Sequence, residues 1–329
     1  MLGKPDLSDE RLLACLSKDF GLEVTGLTFL ALGADADTAV YRAEATDGKR
    51  YFVKLRCGGR DALPVLISHW LASRGVRAII PSIRATSGEP VASVDGFTVS
   101  LSEFVSGRDG YTRALTDDQW VMLGRALRSL HEVELPVELV GQVPQERLSP
   151  HFRRRVLGLL TAAAYAQPVD DIAEQTAELL RANRPAIESL LHRADQLAES
   201  MLERGLELDL CHGDLHAGNV HIGDDGSLYL VDWDKILRAP REKDLMAIGM
   251  GGVWSGDRQA DLFYEGYGAV AIDTDAIAYY RCERIIQDID AFCTELLDTG
   301  RGEADRAQSL RYLASNFESG GLVDVALAS

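Results

Sequence analysis

The sequence predicts an α+β fold in two lobes: a small N-terminal lobe built on a β-sheet and a larger, mostly helical C-terminal lobe. Three observations predict it. Short runs rich in β-branched and aromatic residues (24–30, 39–44, 51–55, 91–94 and 97–101) are punctuated by the turn dipeptides Asp47-Gly48 and Asp95-Gly96. From 116 onward, apolar residues recur mainly at helical spacing. One stretch at 209–234, D-L-C-H-G-D-L-H-A-G-N-V-H-I-G-D-D-G-S-L-Y-L-V-D-W-D, breaks the helical half and reads as strand, polar loop, strand, Asp-Gly turn, strand. A length of 329 residues suits two lobes. The expected division is 1–102, a connecting hinge at 103–108, and 109–329.

The elements follow in order. A helix is expected over 8–20, capped by Ser8, with Asp9 and Glu10 at its positive end and Gly21 as its stop. Strands at 24–30, 39–44 and 51–55 come next. Between the first two lies L-G-A-D-A-D-T, whose small residues, among them Gly33, Asp37 and Thr38, allow backbone N–H groups to approach a polyphosphate; a plain hairpin loop fits the same residues. Lys54 sits on the third strand in Y-F-V-K-L, where it reads either as a surface lysine or as a cation facing a cleft. A helix is expected at about 61–74, with Asp61 at its start. After the 91–101 hairpin the chain passes through S-E-F-V-S-G, the expected hinge, whose backbone at Glu103 and Val105 would meet the edge of a base. Thr116 and Gln119 form a capping box opening a helix to about His131. Residues 150–205 read as helical packing interrupted near Pro185, and Arg153, Arg154 and Arg155 as a solvated helix face. Asp244 precedes an apolar helix, where it can cap free N–H groups. Between 261 and 298 there are nine acidic residues and two arginines. There Ala278, Cys282, Ile285, Ile289, Phe292 and Leu296 make a core stripe, and Tyr280, Arg281, Arg284 and Asp288 a polar one that reads as a pocket wall or a solvated face.

Composition narrows the function. Net charge is −17, which disfavours a nucleic-acid partner and favours a cationic small molecule. Five scattered cysteines without a C-x-x-C pattern fit a reduced compartment. No apolar run reaches transmembrane length and no charged segment precedes an apolar one at the N-terminus, so a cytoplasmic protein without membrane contact is expected. A monomer or weak dimer is the expected state.

The 209–234 stretch carries the chemistry. Phosphoryl transfer needs a carboxylate beside the attacking hydroxyl and oxygen ligands for Mg²⁺. H-G-D-L-H-A-G-N places Asp214 and Asn219 at the spacing of the protein-kinase catalytic loop, and Asp232 in D-W-D stands where the metal-binding aspartate of that fold would be. On this reading Asp214 orients the hydroxyl, Asn219 and Asp232 hold Mg²⁺, and Lys54 steadies the phosphates of ATP. His212 fits a loop-bracing partner better than a proton shuttle. Asp234 could orient substrate, add to the metal site, or be a surface carboxylate. A three-histidine zinc site is disfavoured by the spacing and by the absence of H-E-x-x-H. The helix after Lys54 offers no glutamate in its first turns to pair with the lysine; Asp61 is the nearest candidate.

Gly213 in place of the kinase arginine resembles the aminoglycoside phosphotransferase and choline kinase branch of the kinase-like fold. G-A-D-A-D-T-A-V-Y, C-H-G-D-L-H-A-G-N-V, V-D-W-D with A-P-R-E-K-D-L-M, F-Y-E-G-Y-G and Y-Y-R-C-E-R-I-I-Q-D-I together resemble the spectinomycin (aminoglycoside 9-) phosphotransferases over nearly the whole chain. The resemblance implies a protein-kinase-like pair of lobes and ATP-dependent O-phosphorylation of the spectinomycin 9-hydroxyl, a resistance activity. Tyr280, Arg284, Asp288 and Asp234 are then the candidate acceptor residues. A related kinase acting on another antibiotic, such as hygromycin A, or on a metabolite hydroxyl would share the site but not the pocket. A nucleotide-binding module without transfer activity is opposed by the intact Asp214, Asn219 and Asp232.

Overall fold

A computed structural model describes residues 4–31, 38–58, 62–165, 168–254, 256–297 and 303–329. The strands are β1 (Val24–Leu30), β2 (Thr38–Ala45), β3 (Arg50–Cys57), β4 (Ser82–Ile83), β5 (Ala92–Val94), β6 (Phe97–Glu103), β7 (Gly107–Asp109), β8 (Asp209–Cys211), β9 (Val220–Gly223), β10 (Leu228–Leu230) and β11 (Leu237–Ala239). The helices are α1 (Asp9–Phe20), α2 (Leu63–Ser73), α3 (Asp117–His131), α4 (Val137–Val140), α5 (His151–Tyr165), α6 (Asp171–Ala182), α7 (Arg184–Arg204), α8 (Glu242–Leu245), α9 (Asp257–Tyr267), α10 (Thr274–Leu297), α11 (Glu303–Ser315) and α12 (Leu322–Ala328). The class is α+β, with an antiparallel N-terminal sheet and a helical remainder.

The chain divides into two compact units. The first comprises 1–130, 134–143 and 216–236; the second comprises 131–133, 144–215 and 237–329. The hinge expected at 103–108 lies inside the first unit, which also takes in most of α3 and the second half of the 209–234 stretch.

In the first unit the main sheet runs β1-β2-β3-β6-β4, with β5 paired to β6. Strand periodicity decides what the sheet offers on each face. Along β3, Tyr51, Val53 and Leu55 are buried in the core with Leu12, Leu16, Tyr41 and Leu101. Phe52, Lys54 and Arg56 alternate with them and are only partly buried. Lys54 pairs in register with Val40 on β2 and Ser100 on β6, and a slip of one residue would drive its ammonium into the apolar core. The β5–β6 turn explains its own sequence: Asp95 and Gly96 have φ of 45° and 83°, the left-handed pair of a two-residue hairpin.

Local signals behave as read. The Ser8 side chain accepts from the Arg11 N–H at the start of α1, and Gly21 closes that helix. The capping box is reciprocal: Thr116 N–H donates to Gln119 Oε1 at 3.0 Å, and Gln119 N–H to Thr116 Oγ1 at 3.3 Å. Pro185 stands in the first turn of α7, where no intrahelical N–H is lost. A smaller sheet, β10-β9-β7, holds the residues that follow the polar loop.

In the second unit α10 is the central helix. Its residues Ile285, Ile286, Ile289, Cys293 and Leu296 are fully buried against Val156, Ile187, Leu190 and Ala194 of α5 and α7. Arg153, expected on a solvated face, is 5% exposed; its Nη1 donates to Glu283 Oε2 at 2.7 Å and its Nη2 to the Leu148 carbonyl at 3.1 Å. A buried arginine is tolerable because partners on three sides, including Asp195 and Tyr279, absorb its charge and donors. Arg155 likewise donates to Asp290, at 2.6 Å.

Candidate active site

The first unit contains a cavity of about 650 Å³, lined by Thr38, Lys54, Glu103, Val105, Asp232 and Asp234 among others. Its size falls within the usual range for small-molecule sites. Five of the residues assigned to nucleotide or metal from sequence therefore share one wall system, and Asp234 joins them. Gly33, Asp37 and Asp61 lie outside the described residues.

Among the described residues, the ion-pair partners of Lys54 are the two aspartates of V-D-W-D. The ammonium donates to Asp232 Oδ1 at 2.8 Å and to Asp234 Oδ2 at 2.6 Å. Arg56, two residues along the same strand and hence on the same face, also donates to Asp234. Burial alone would depress the Lys54 ammonium, but Asp232 and Asp234 reverse this and hold its pKa above the ordinary lysine value. Lys54 is thus a fixed cation in the cavity wall. The signal for this was present in the sequence: a second aspartate in V-D-W-D and a second cation at period two from the lysine.

Asp232 lies two residues beyond the end of β10, with φ 63° and ψ 66°, a left-handed conformation that aspartate tolerates better than most residues. Its side chain is 48% exposed, so the carboxylate stays reachable while it holds Lys54. Asn219 ends the short helix Ala217–Asn219 and is buried. An amide oxygen and a carboxylate make an all-oxygen donor set that fits a hard dication such as Mg²⁺. His216 accepts from the Gly218 N–H at 3.1 Å and so shapes this turn. His221 Nε2 lies 3.0 Å from the Val105 carbonyl, which makes it the donor and ties β9 to the expected base-binding segment.

The second unit holds Asp214. The loop before it is braced from beneath by Asp244, which is fully buried. Asp244 Oδ2 accepts from the His212 N–H at 2.7 Å, and Oδ1 from the Gly213 N–H at 2.8 Å. His131 Nε2 reaches the same carboxylate at 3.1 Å, and its Nδ1 meets the Tyr267 hydroxyl at 2.8 Å. Burial raises the Asp244 carboxyl, yet the hydrogen bond from His131, the nearby imidazoles and the loop N–H groups outweigh it and leave the pKa below the usual carboxylate range. Asp244 was expected to cap a helix; it instead lies within α8 and serves the loop backbone. Gly213 has φ of +83°, which accounts for glycine at the position where kinases carry arginine. His212 is fully buried and its Nδ1 accepts from the Asp214 N–H at 3.4 Å, consistent with bracing.

Arg284 Nη1 donates to Asp214 Oδ1 at 2.6 Å, and its Nε pairs with Asp288 Oδ1 at 3.1 Å. Burial disfavours the guanidinium, but Asp288 and Asp214 overcome this and hold its pKa above the ordinary arginine value. Tyr280 departs from expectation. It is 2% exposed within the core, its hydroxyl has no hydrogen-bond partner among the described residues, and the Lys243 ammonium sits 4.9 Å from its ring centre. The reason is that the stripe through 280 faces α8, not solvent. Arg281 is equally occupied, donating to the Met246 and Ile248 carbonyls at 3.1 and 2.9 Å.

A model of the phosphotransferase enzyme family matches residues 28–280. The chain belongs to this family. A solved spectinomycin phosphotransferase, in complex with ADP and spectinomycin, is 30% identical, covers 98% of this chain and 99% of its own, and superposes with a TM-score of 0.90. The AMP-bound complex of a spectinomycin phosphotransferase gives 0.87 at the same identity and coverage. An amicoumacin kinase, 16% identical over 96% of this chain and 95% of its own, shares the fold at a TM-score of 0.62. An uncharacterized protein of Deinococcus radiodurans is 26% identical over 239 residues, 69% of this chain and 62% of that relative's length. The fold is that of the kinase-like phosphotransferases. No helix among the described residues is long and apolar enough to cross a membrane.

Proposed function

We propose that the protein transfers the γ-phosphoryl group of ATP to a hydroxyl of an aminocyclitol antibiotic, the 9-hydroxyl of spectinomycin, and so confers resistance. The observation that carries phosphoryl transfer is Lys54, fixed between Asp232 and Asp234 in the wall of a nucleotide-sized cavity. The choice of acceptor rests on the 30% identity, at near-complete coverage, to a protein solved with ADP and spectinomycin. A net charge of −17 agrees with a cationic acceptor.

The roles follow from chemistry. Lys54 bridges the α- and β-phosphates, and Asp234 with Arg56 keeps its ammonium in place. The backbone at 103–105 meets the adenine edge, and Thr38 lies in the wall of the same cavity. Asn219 and Asp232 would hold Mg²⁺, which when bound would neutralise phosphate charge. Asp214 accepts a hydrogen bond from the acceptor hydroxyl and aims its oxygen at the γ-phosphorus. A bond forms between that oxygen and the γ-phosphorus as the bond from the phosphorus to the bridging oxygen breaks; ADP leaves with the electron pair, and the hydroxyl proton departs along its hydrogen bond to Asp214. A loose transition state needs little base strength, so positioning supplies most of the rate.

The test is ADP release by purified protein with MgATP and a panel of aminocyclitols, aminoglycosides and hygromycin A. Spectinomycin-dependent release, with a product heavier by one phosphate, is the expected result. Release with a different hydroxyl compound and none with spectinomycin would reassign the acceptor, and no release with any would remove the transferase reading.

A further inference from the structure

Asp214 does not stand alone. Arg284 Nη1 holds its Oδ1 at 2.6 Å, and Asp288, one turn further along α10, holds the Nε of the same guanidinium at 3.1 Å. All three side chains are at most 30% exposed. An arginine anchored at Nε and engaged at Nη1 has both ends of its planar fork assigned. It is therefore a clamp with fixed geometry and not a mobile surface cation. α10 is also the rigid centre of the second unit, buried along its apolar side from Ala276 to Leu296. The guanidinium thus transmits the position of a packed helix to a carboxylate that belongs to a loop. Asp244 fixes the backbone of that loop through His212 and Gly213, but both of its contacts precede Asp214 and neither sets the rotamer of the Asp214 side chain.

We infer that Arg284, tethered by Asp288, is a positioning residue that fixes the Asp214 carboxylate for the acceptor hydroxyl. A carboxylate has about four lone-pair sites, and the Arg284 N–H at Oδ1 takes one of them, so it does not by itself block an acceptor hydroxyl. The fixed cation also means that Asp214 enters the reaction already aligned, with no rotamer search when the acceptor arrives. Arg284 and Asp288 accordingly act through Asp214 and are not primarily contacts for the antibiotic. The inference rests on the phosphotransfer reading of Asp214.

The test compares Arg284→Met, Arg284→Lys and Asp288→Asn with the wild-type protein. MgATP turnover is followed with spectinomycin and, separately, with water as the acceptor. Displacing a reacting group by about 1 Å costs up to ~10²-fold, so Arg284→Met should lower kcat by roughly 30–100-fold in both assays. The KM for MgATP should change by less than about twofold, since no nucleotide contact is removed. Arg284→Lys should recover only part of the loss, because one ammonium cannot serve both carboxylates in the same plane. Sub-denaturing guanidinium added to a fourth variant, Arg284→Ala, whose short side chain leaves room for the ion between Asp214 and Asp288, should restore turnover, an effect that lost packing would not produce. Asp288→Asn should give a smaller fall in the same direction. Wild-type-like kcat in Arg284→Met, or a fall that guanidinium does not rescue in Arg284→Ala, would overturn the inference. The water assay keeps the two questions apart: if wild type ignores spectinomycin, the acceptor is wrong, and the response of ATP hydrolysis to Arg284→Met still decides the clamp.

Discussion

Asp244→Ala is the perturbation that most sharply links the fold to the chemistry. Asp244 is fully buried and accepts from His212 N–H, Gly213 N–H and His131. Truncation to alanine leaves two buried donors and one half-buried donor without an acceptor. At about 1–2 kcal/mol for each orphaned group, the loss is on the order of 4 kcal/mol, a large share of a typical folding free energy. Asp244→Asn keeps one acceptor oxygen and turns an amide toward the other donor, so it should lose roughly half as much. Urea unfolding followed by tryptophan fluorescence reads the stability. Steady-state turnover reads the loop: kcat should fall by about 10²-fold as Asp214 loses its alignment, while MgATP binding survives. The pH dependence has a definite sign. The folded Asp244 carboxyl titrates below its unfolded value, so its contribution is complete above the unfolded pKa and disappears only as pH falls through the lower, folded one. The difference between wild type and Asp244→Asn should therefore hold steady from pH 7 to about pH 4 and shrink below that. A loss under about 1 kcal/mol with kcat intact would refute the assignment of Asp244 as the brace of this loop.

Three further outcomes are expected. Asp214→Asn should reduce kcat by about 10²–10⁴-fold, measured by ADP release, with MgATP affinity by calorimetry nearly unchanged. Lys54→Met should raise the KM for MgATP by at least about tenfold, and Asp234→Ala should do so to a smaller extent because it frees the lysine without removing it; equal affinity in all three proteins would dismiss the lysine's phosphate role. Arg153→Met should destabilise by roughly 3–5 kcal/mol because it strands the Glu283 carboxylate, and adding Glu283→Gln to that variant should recover a substantial part of the loss in urea unfolding.

The parts of the fold legible in the sequence are those governed by local physics. Ser8 and the Thr116–Gln119 box cap helices through contacts only three residues long. Asp95-Gly96 makes its turn because both residues accept positive φ. The alternation in β3 assigns Lys54 to the face opposite Val53 and Leu55 without any knowledge of the rest of the chain. What the sequence concealed is pairing across long separations. The partners of Lys54 lie 178 and 180 residues away, whereas local reasoning looked for a carboxylate on the next helix. Arg153 in a run of three arginines has the composition of a solvated face, and only Glu283, 130 residues on, makes its burial tolerable. Tyr280 and Arg284 share one apparent polar stripe, yet one packs into the core and the other grips Asp214; a helical period assigns a face but not what lies against it. The return of the 216–236 segment to the unit that begins at the N-terminus was equally hidden.

Transfer to the 9-hydroxyl is read directly by ³¹P NMR of the product formed from MgATP and spectinomycin by the wild-type protein. The expected spectrum shows a single new phosphomonoester resonance, correlated with the proton on carbon 9 of the antibiotic and growing in step with ADP. A spectrum holding only ADP and inorganic phosphate, or a phosphate correlated with another carbon, would contradict it.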